Sequence, residues 1–165
     1  SGASGKWGEI GKTLAIAYAQ QGANLALCAR SDLSQLSIQL QETYGVNVVI
    51  GKVDITEKNT CTKFAEIVKE IYGHVDIIIN NAALSCGGPI FEGQSNPHGF
   101  NKSININLMG PYNFTTAFIP LIKKERDIGS ILFIGSGSGI LPMGENNEQI
   151  LPMGHGTHLS KSDAH

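Results

Sequence analysis

Three features of the chain predict an α/β fold, a parallel sheet covered by helices on both faces. Helical and strand patterns alternate along its 165 residues. The strand segments are apolar nearly throughout, as strands buried on both faces are. A glycine-rich loop, residues 2–11, runs straight into a helical pattern. The length fits one domain over 1–165. A hydrophobic content of 41% with only 16% charged residues supplies a sizeable core.

The elements follow in order. Glycines at 2, 5, 8 and 11 lead into a helix with Ile10, Leu14, Ala17 and Tyr18 on one face. Asn24–Ala29 is a short apolar run and reads as a buried strand. Ser31 or Asp32 caps a helix whose inner face carries Leu33, Leu36, Leu40 and Tyr44, and Gly45 ends it. Val46–Ile50 is the next strand. Thr56 caps a helix with Phe64, Ile67, Val68 and Ile71 at helical spacing, closed by Gly73. Val75–Ile79 is a strand, and the stretch 84–99 is a loop. A long helical pattern runs over 100–124, bent at Pro111. Ile131–Ile134 is a further strand, 137–156 reads as loop, and the final residues begin a helix.

Composition excludes several classes. The net charge is −2 with Lys and Arg scattered, so there is no basic stripe for nucleic acid. No apolar run approaches the ~20 residues of a membrane span. Cys28, Cys61 and Cys86 lie far apart, without metal-ligand spacing, so no metal site is expected. An odd, scattered set fits a reducing, cytoplasmic setting, with Cys28 a small buried hydrophobe.

In a parallel α/β sheet, ligands sit beyond the C-terminal ends of the strands. The chemistry is therefore sought just after Ala29, Val53, Ile79 and Ile134. The glycine loop itself is an anion site: backbone N–H groups and the helix dipole favour negative charge, and glycine permits close approach of a pyrophosphate. Its spacing, G-x-x-G-x-x-G-x-x-G, departs from the usual dinucleotide fingerprint. Arg30 falls 19 residues after Gly11, near the ~20-residue spacing at which this fold reads a ribose. An acid there would favour NAD; Arg30 and Ser31 offer a cation and a hydroxyl, which suit the extra phosphate of NADP, and Lys6 adds a second charge. Asp54 is placed to accept from an adenine amino group or simply to shape its turn. Asn80 and Asn81 tie loops together or form a turn, while Ala82 and Ala83 leave room for a ligand. Ser136, flanked by glycines, is a polar catalytic group or a turn residue.

The segments GASGKWGEIG, LCAR, VDIT, INNAA, NINLMGPY, ILFIGSGSG and HLSK, in that order, resemble the short-chain dehydrogenase/reductase family across essentially the whole chain. The resemblance implies a Rossmann-type doubly wound parallel sheet and an oxidoreductase. It implies a cofactor site of Gly2, Ser4, Lys6, Gly8, Ile10, Gly11, Arg30, Ser31, Asp54, Ile55, Asn81, Ala82, Ala83 and Lys161. It puts the catalytic serine on Ser136, with Ser138 the alternative register, the lysine on Lys161, and the asparagine that helps hold a water on Asn107. In the family a tyrosine exchanges the proton with the substrate oxygen. The lysine lowers that tyrosine's pKa and the serine bonds the carbonyl, while hydride passes to or from nicotinamide.

Two departures stand out. The tyrosine position, four before Lys161, holds Thr157; His158 is adjacent but about 100° around the helix, and His155 lies in the loop. The tyrosines present, Tyr18, Tyr44, Tyr72 and Tyr112, are remote in sequence. ILPMG occurs at 140–144 and again at 150–154, lengthening the approach to Lys161. The family pattern also places a strand before the glycine loop, central in the sheet between those at 24–29 and 75–79, and further strands after Lys161. The expectation is an internal fragment lacking the first and C-terminal strands. Without that central strand two apolar edges are left unpaired, and the expected function is NADP(H)-dependent hydride transfer with a small carbonyl/alcohol substrate. The alternative is a catalytically impaired dinucleotide-binding homologue, and the long helix implies, by resemblance, a dimer or tetramer.

Overall fold

Helix α1 (Glu9–Gln20) leads into strand β1 (Leu25–Ala29), followed by α2 (Ser34–Tyr44), β2 (Val48–Lys52), α3 (Lys58–Tyr72) and β3 (Ile77–Asn80). Then come α4 (Pro97–Ile104), a π-helical turn (Asn105–Met109), α5 (Gly110–Phe118), a 3-10 turn (Ile119–Leu121) and β4 (Ser130–Phe133). This computed structural model describes residues 9–84, 97–122 and 129–135.

The expected α/β alternation is present. β1 pairs with β2 in parallel, from Leu25 opposite Val48 to Ala29 opposite Lys52. β3 pairs with β4 in parallel, from Ile77 opposite Ser130 to Asn80 opposite Phe133. Among the described residues β1 and β3 do not pair with each other. A cleft of about 330 Å³ runs between them, walled by Leu25–Cys28 on one side and Val75–Ile79 on the other. The two apolar edges expected from the sequence are these walls. The ladder also shows which backbone groups face the cleft. Leu25 N–H donates to Asn47 O and Val53 N–H to Ala29 O, so odd-numbered β1 residues point at β2. By the alternation of a parallel ladder, Ala26 and Cys28 point the other way.

Helices lie on both faces of β1, which divides the core between them. Leu25 and Leu27 pack with Ala15 and Ala19 of α1, Leu40 of α2 and Val46. Ala26 and Cys28 pack on the other face with Phe64 and Val68 of α3 and Phe114 and Phe118 of α5. Phe118 lies between two rings, 4.5 Å from Phe114 and 5.8 Å from Phe64 by centroid.

Two helix faces differ from expectation. On α1 the buried stripe is Gly11, Ala15 and Ala19, while Ile10 is 55% exposed. Small residues bring α1 close to β1, and Leu14 and Tyr18 are left to line the cleft. On α3 the buried stripe is Cys61, Phe64, Ala65 and Val68, and Ile67 and Ile71 lie outside it. Periodicity alone could not choose between two stripes sharing Phe64 and Val68; contact with α5 chose the one containing Cys61.

The helix ends follow local chemistry. Neither Ser31 nor Asp32 is the N-cap of α2: that position is Leu33, and Asp32, one residue before it, accepts at Oδ1 from Ser34 N (3.0 Å) and Ser34 Oγ (2.6 Å). Those bonds hold the Asp32 carboxyl below its ordinary pKa. Gly45 ends α2 at φ 67°, a left-handed conformation that glycine adopts freely, with its N–H on Gln41 O. Thr56 does not cap α3, which starts two residues later; its side chain belongs to the turn before the helix. The long helical pattern is interrupted before Pro111 by the π-helical turn, not broken at the proline. Gly110 N–H donates five residues back to Asn105 O, and Pro111 sits in the first turn of α5, where no N–H is needed.

Candidate functional site

The site is built where the strands end. The last rung between β1 and β2, Val53 N–H to Ala29 O at 2.9 Å, sets Arg30 and Asp54 immediately beyond the same point of the sheet. Arg30 and Ser31 are exposed there. Gly11, buried at the start of α1, lines the same cleft as Asn81 after β3. The site thus draws on the ends of β1, β2 and β3 and on the N-terminal turn of α1.

The Asp54–Thr56 turn is irregular yet fully bonded. Asp54 Oδ1 accepts from Thr56 N (3.0 Å) and Thr56 Oγ1 (2.7 Å), closing an Asx-type turn. Its Oδ2 accepts no hydrogen bond among the described residues, so a single carboxylate oxygen shapes the loop. The three carbonyls of the turn are each held by a side chain. Thr60 Oγ1 donates to Asp54 O at 2.7 Å. Asn113 Nδ2 donates to Ile55 O at 3.1 Å and Thr56 O at 3.3 Å. Ile55 itself is buried in the core.

The loop after β3 is clamped from the π-helical turn. Asn107, fully buried, donates Nδ2 to Leu84 O and accepts from Leu84 N at its Oδ1, both at 2.8 Å. Both ends of its amide are thus committed to the backbone of the loop that carries Asn81, Ala82 and Ala83. Asn80 donates Nδ2 to Thr115 Oγ1 at 3.0 Å, while its buried Oδ1 has no hydrogen-bond partner among the described residues. Sequence reasoning missed Asn113, Thr115 and Thr60. Their signal was the presence of hydrogen-bonding side chains on otherwise apolar helix faces.

The thiols near this region are poor nucleophiles. Burial pushes the Cys61 thiol up to about 11 and raises that of Cys28 as well. The cleft between β1 and β3 shares Gly11 and Asn81 with the strand-end site but is not confined to it. It runs along the strands, its lining is largely aliphatic, and neither Arg30 nor Asp54 contributes to it. Gly2, Ser4, Lys6, Gly8, Ser136, Thr157 and Lys161 lie outside the described residues, as do Ser138, His155 and His158.

The order of strand ends, helix starts and polar residues matches a known pattern. The family model described as short chain dehydrogenase matches residues 3–147. The chain belongs to the short-chain dehydrogenase family. Among curated members it is 31% identical over 142 residues to a 12alpha-hydroxysteroid dehydrogenase from Clostridium sp., covering 82% of this chain and 54% of that relative. It is 33% identical over 136 residues to an 11-beta-hydroxysteroid dehydrogenase from Pinus massoniana, covering 81% of this chain and 37% of that one. The chain therefore spans about half or less of these relatives. A solved alcohol dehydrogenase from the archaeon Thermococcus sibiricus, complexed with 5-hydroxy-NADP, superposes with a TM-score of 0.79 at 28% identity. That alignment covers 94% of this chain and 62% of the archaeal one. Like these relatives, this short-chain dehydrogenase has a Rossmann-type fold. Among its described residues no helix is long and apolar enough to cross a membrane.

Proposed function

We propose that this chain carries the dinucleotide site of an oxidoreductase that transfers hydride between NADP(H) and a small carbonyl/alcohol substrate. The observation that carries the reading is the pairing of Arg30 with the Asp54 turn just beyond one rung of the sheet. The donor set fits the cofactor. The exposed Arg30 guanidinium and the Ser31 hydroxyl suit a ribose phosphate. Asp54 Oδ2 remains to accept from the adenine amino group, because Oδ1 is committed to Thr56. Ala82 and Ala83 allow close approach after β3. NADP(H), when bound, supplies or takes up the hydride; the protein's part is to bind, orient and handle the proton. The archaeal neighbour complexed with 5-hydroxy-NADP supports the same choice of cofactor.

Fluorescence titration of the full chain with NADPH and NADH tests this. NADPH should bind at least about tenfold more tightly, the value of one charge-assisted contact, and Arg30→Ala should abolish the preference. Equal affinity in the unsubstituted chain overturns the reading.

A second reading is favoured by Thr157. An aliphatic hydroxyl is a far weaker acid than a phenol, whose pKa is about 10, so the proton step lacks its usual donor. On this reading the chain binds the dinucleotide and turns over poorly. Thr157→Tyr, assayed for NADPH oxidation over a panel of carbonyl compounds, separates the two. Turnover by the unsubstituted chain supports the dehydrogenase, and turnover gained only with the tyrosine supports the impaired homologue. Exposed Met109, Tyr112 and Ile119 beside and within α5 support self-association through that helix. The scattered cysteines support a cytoplasmic location.

A further inference from the structure

The geometry points to Asn113 as the residue that positions the Asp54 turn for the adenine end of the cofactor. The inference rests on the dinucleotide reading above and deepens it. The turn after β2 has no ladder or helix of its own to fix it. Within the turn, Asp54 Oδ1 binds Thr56, which sets the local shape. From α3, Thr60 Oγ1 takes the Asp54 carbonyl. These ties are all short-range in sequence, and they move with α3. Asn113 is different: its amide reaches across from α5, 58 and 57 residues away, to two successive carbonyls, those of Ile55 and Thr56.

Packing makes this tie close. Gly110, one turn before Asn113, lies against Ile55, and a Cβ there would come within 2.5 Å of Ile55 Cδ1. The missing side chain lets α5 approach, and the approach lets a short amide span both carbonyls. The same helical unit holds the end of β3 through Thr115 to Asn80 and the loop beyond it through Asn107 to Leu84. One element therefore sets the loops after β2 and β3 relative to each other. With the three carbonyls of the turn drawn toward helices, the Asp54 carboxylate is fixed from behind, and its open oxygen keeps one direction. Asn113 touches no reacting atom; it is a positioning residue acting through Asp54.

The test compares binding of NADPH with that of its hypoxanthine analogue, which lacks the adenine amino group, by calorimetry on the full chain. The unsubstituted chain should prefer NADPH by about tenfold, as loss of a hydrogen bond to a charged acceptor predicts. Asn113→Leu keeps volume and removes the donor, and should compress that preference to about onefold. A merely structural role would weaken both ligands equally and leave the ratio unchanged, which overturns the inference. Asn113→Ser, a smaller change, should reduce the ratio in the same way and serves if the leucine variant does not fold. Equal binding of the two ligands by the unsubstituted chain also overturns the inference, since there is then no adenine contact to position. Failure of that chain to bind NADPH at all refutes the dinucleotide reading itself.

Discussion

Replacing Gly110 with alanine should destabilise the chain, although alanine is the better helix former. Gly110 has helical backbone angles, φ −60° and ψ −56°, so it is not there for conformational freedom. The added methyl would lie 2.5 Å from Ile55 Cδ1 and 2.7 Å from Cγ1. Ordinary carbon contacts are about 3.5–4.0 Å, so one partner must retreat by about 1 Å. Ile55 is 7% exposed and packed in the core, and its carbonyl is tied to Asn113 on the same helix as Gly110. Overpacking of this kind costs about 1–3 kcal/mol, and exchanging glycine for alanine in a helix returns roughly 0.5–1 kcal/mol. The net loss is roughly 0–2.5 kcal/mol, centred on ~1 kcal/mol. Urea denaturation of the full chain, read by circular dichroism, measures it. In an Ile55→Ala background both clashing atoms are gone, and only the propensity gain remains. Gly110→Ala should therefore change sign there and stabilise, a coupling that a double-mutant cycle isolates. Stabilisation by Gly110→Ala in both backgrounds would refute the close-packing argument.

Two further outcomes follow from the site. Asn107→Ala removes both buried hydrogen bonds between its amide and Leu84 and should cost roughly 1–3 kcal/mol. Asn107→Asp should not rescue it, because one oxygen would accept from Leu84 N–H while the other faced the Leu84 carbonyl; a fully stable aspartate variant would contradict the two-way clamp. For Cys61, burial raises the thiol from 9.0 to about 11. The unfolded chain therefore loses its proton first, the folded chain binds more protons, and stability must fall as pH rises from about 9 toward 11. Cys61→Ala should flatten that part of the pH profile, and a profile unchanged by the substitution would argue against the buried thiol as its source.

Much of the fold was legible because its signals are local. Gly45 and Gly73 stop their helices where the sequence suggests, each with its N–H on a carbonyl four residues back. The strands lie where the apolar runs are, shifted by up to two residues: Val48–Lys52 rather than 46–50, and Ile77–Asn80 rather than 75–79. Those shifts arise because pairing, not composition, sets where a ladder begins. The α3 face was half legible, since Phe64 and Val68 belong to two overlapping stripes and only the approach of α5 decides between them. The π-helical turn before Pro111 was hidden for a related reason. Proline is visible in a sequence, whereas a π-helical turn is not marked by any residue type.

The residues of the candidate site divide the same way. Arg30, Asp54 and the Asn80–Asn81 pair could be singled out by position alone, because parallel α/β sheets place their polar ends where apolar runs stop. What those residues do within the structure could not. Two carboxylate oxygens look alike in a sequence, and only the folded turn commits one of them to Thr56. The family resemblance puts a water-holding role on Asn107, and only the structure shows its side chain joined to Leu84, 23 residues away. The sequence by itself determined the alternation of helix and strand, the helix stops and the edge of the sheet where chemistry belongs, because each depends on neighbours within a few residues. The tertiary structure alone decided that one helix, through Gly110, Asn107, Asn113 and Thr115, holds the loops of that edge together. Those contacts join residues tens of positions apart, and chain proximity carries no record of them.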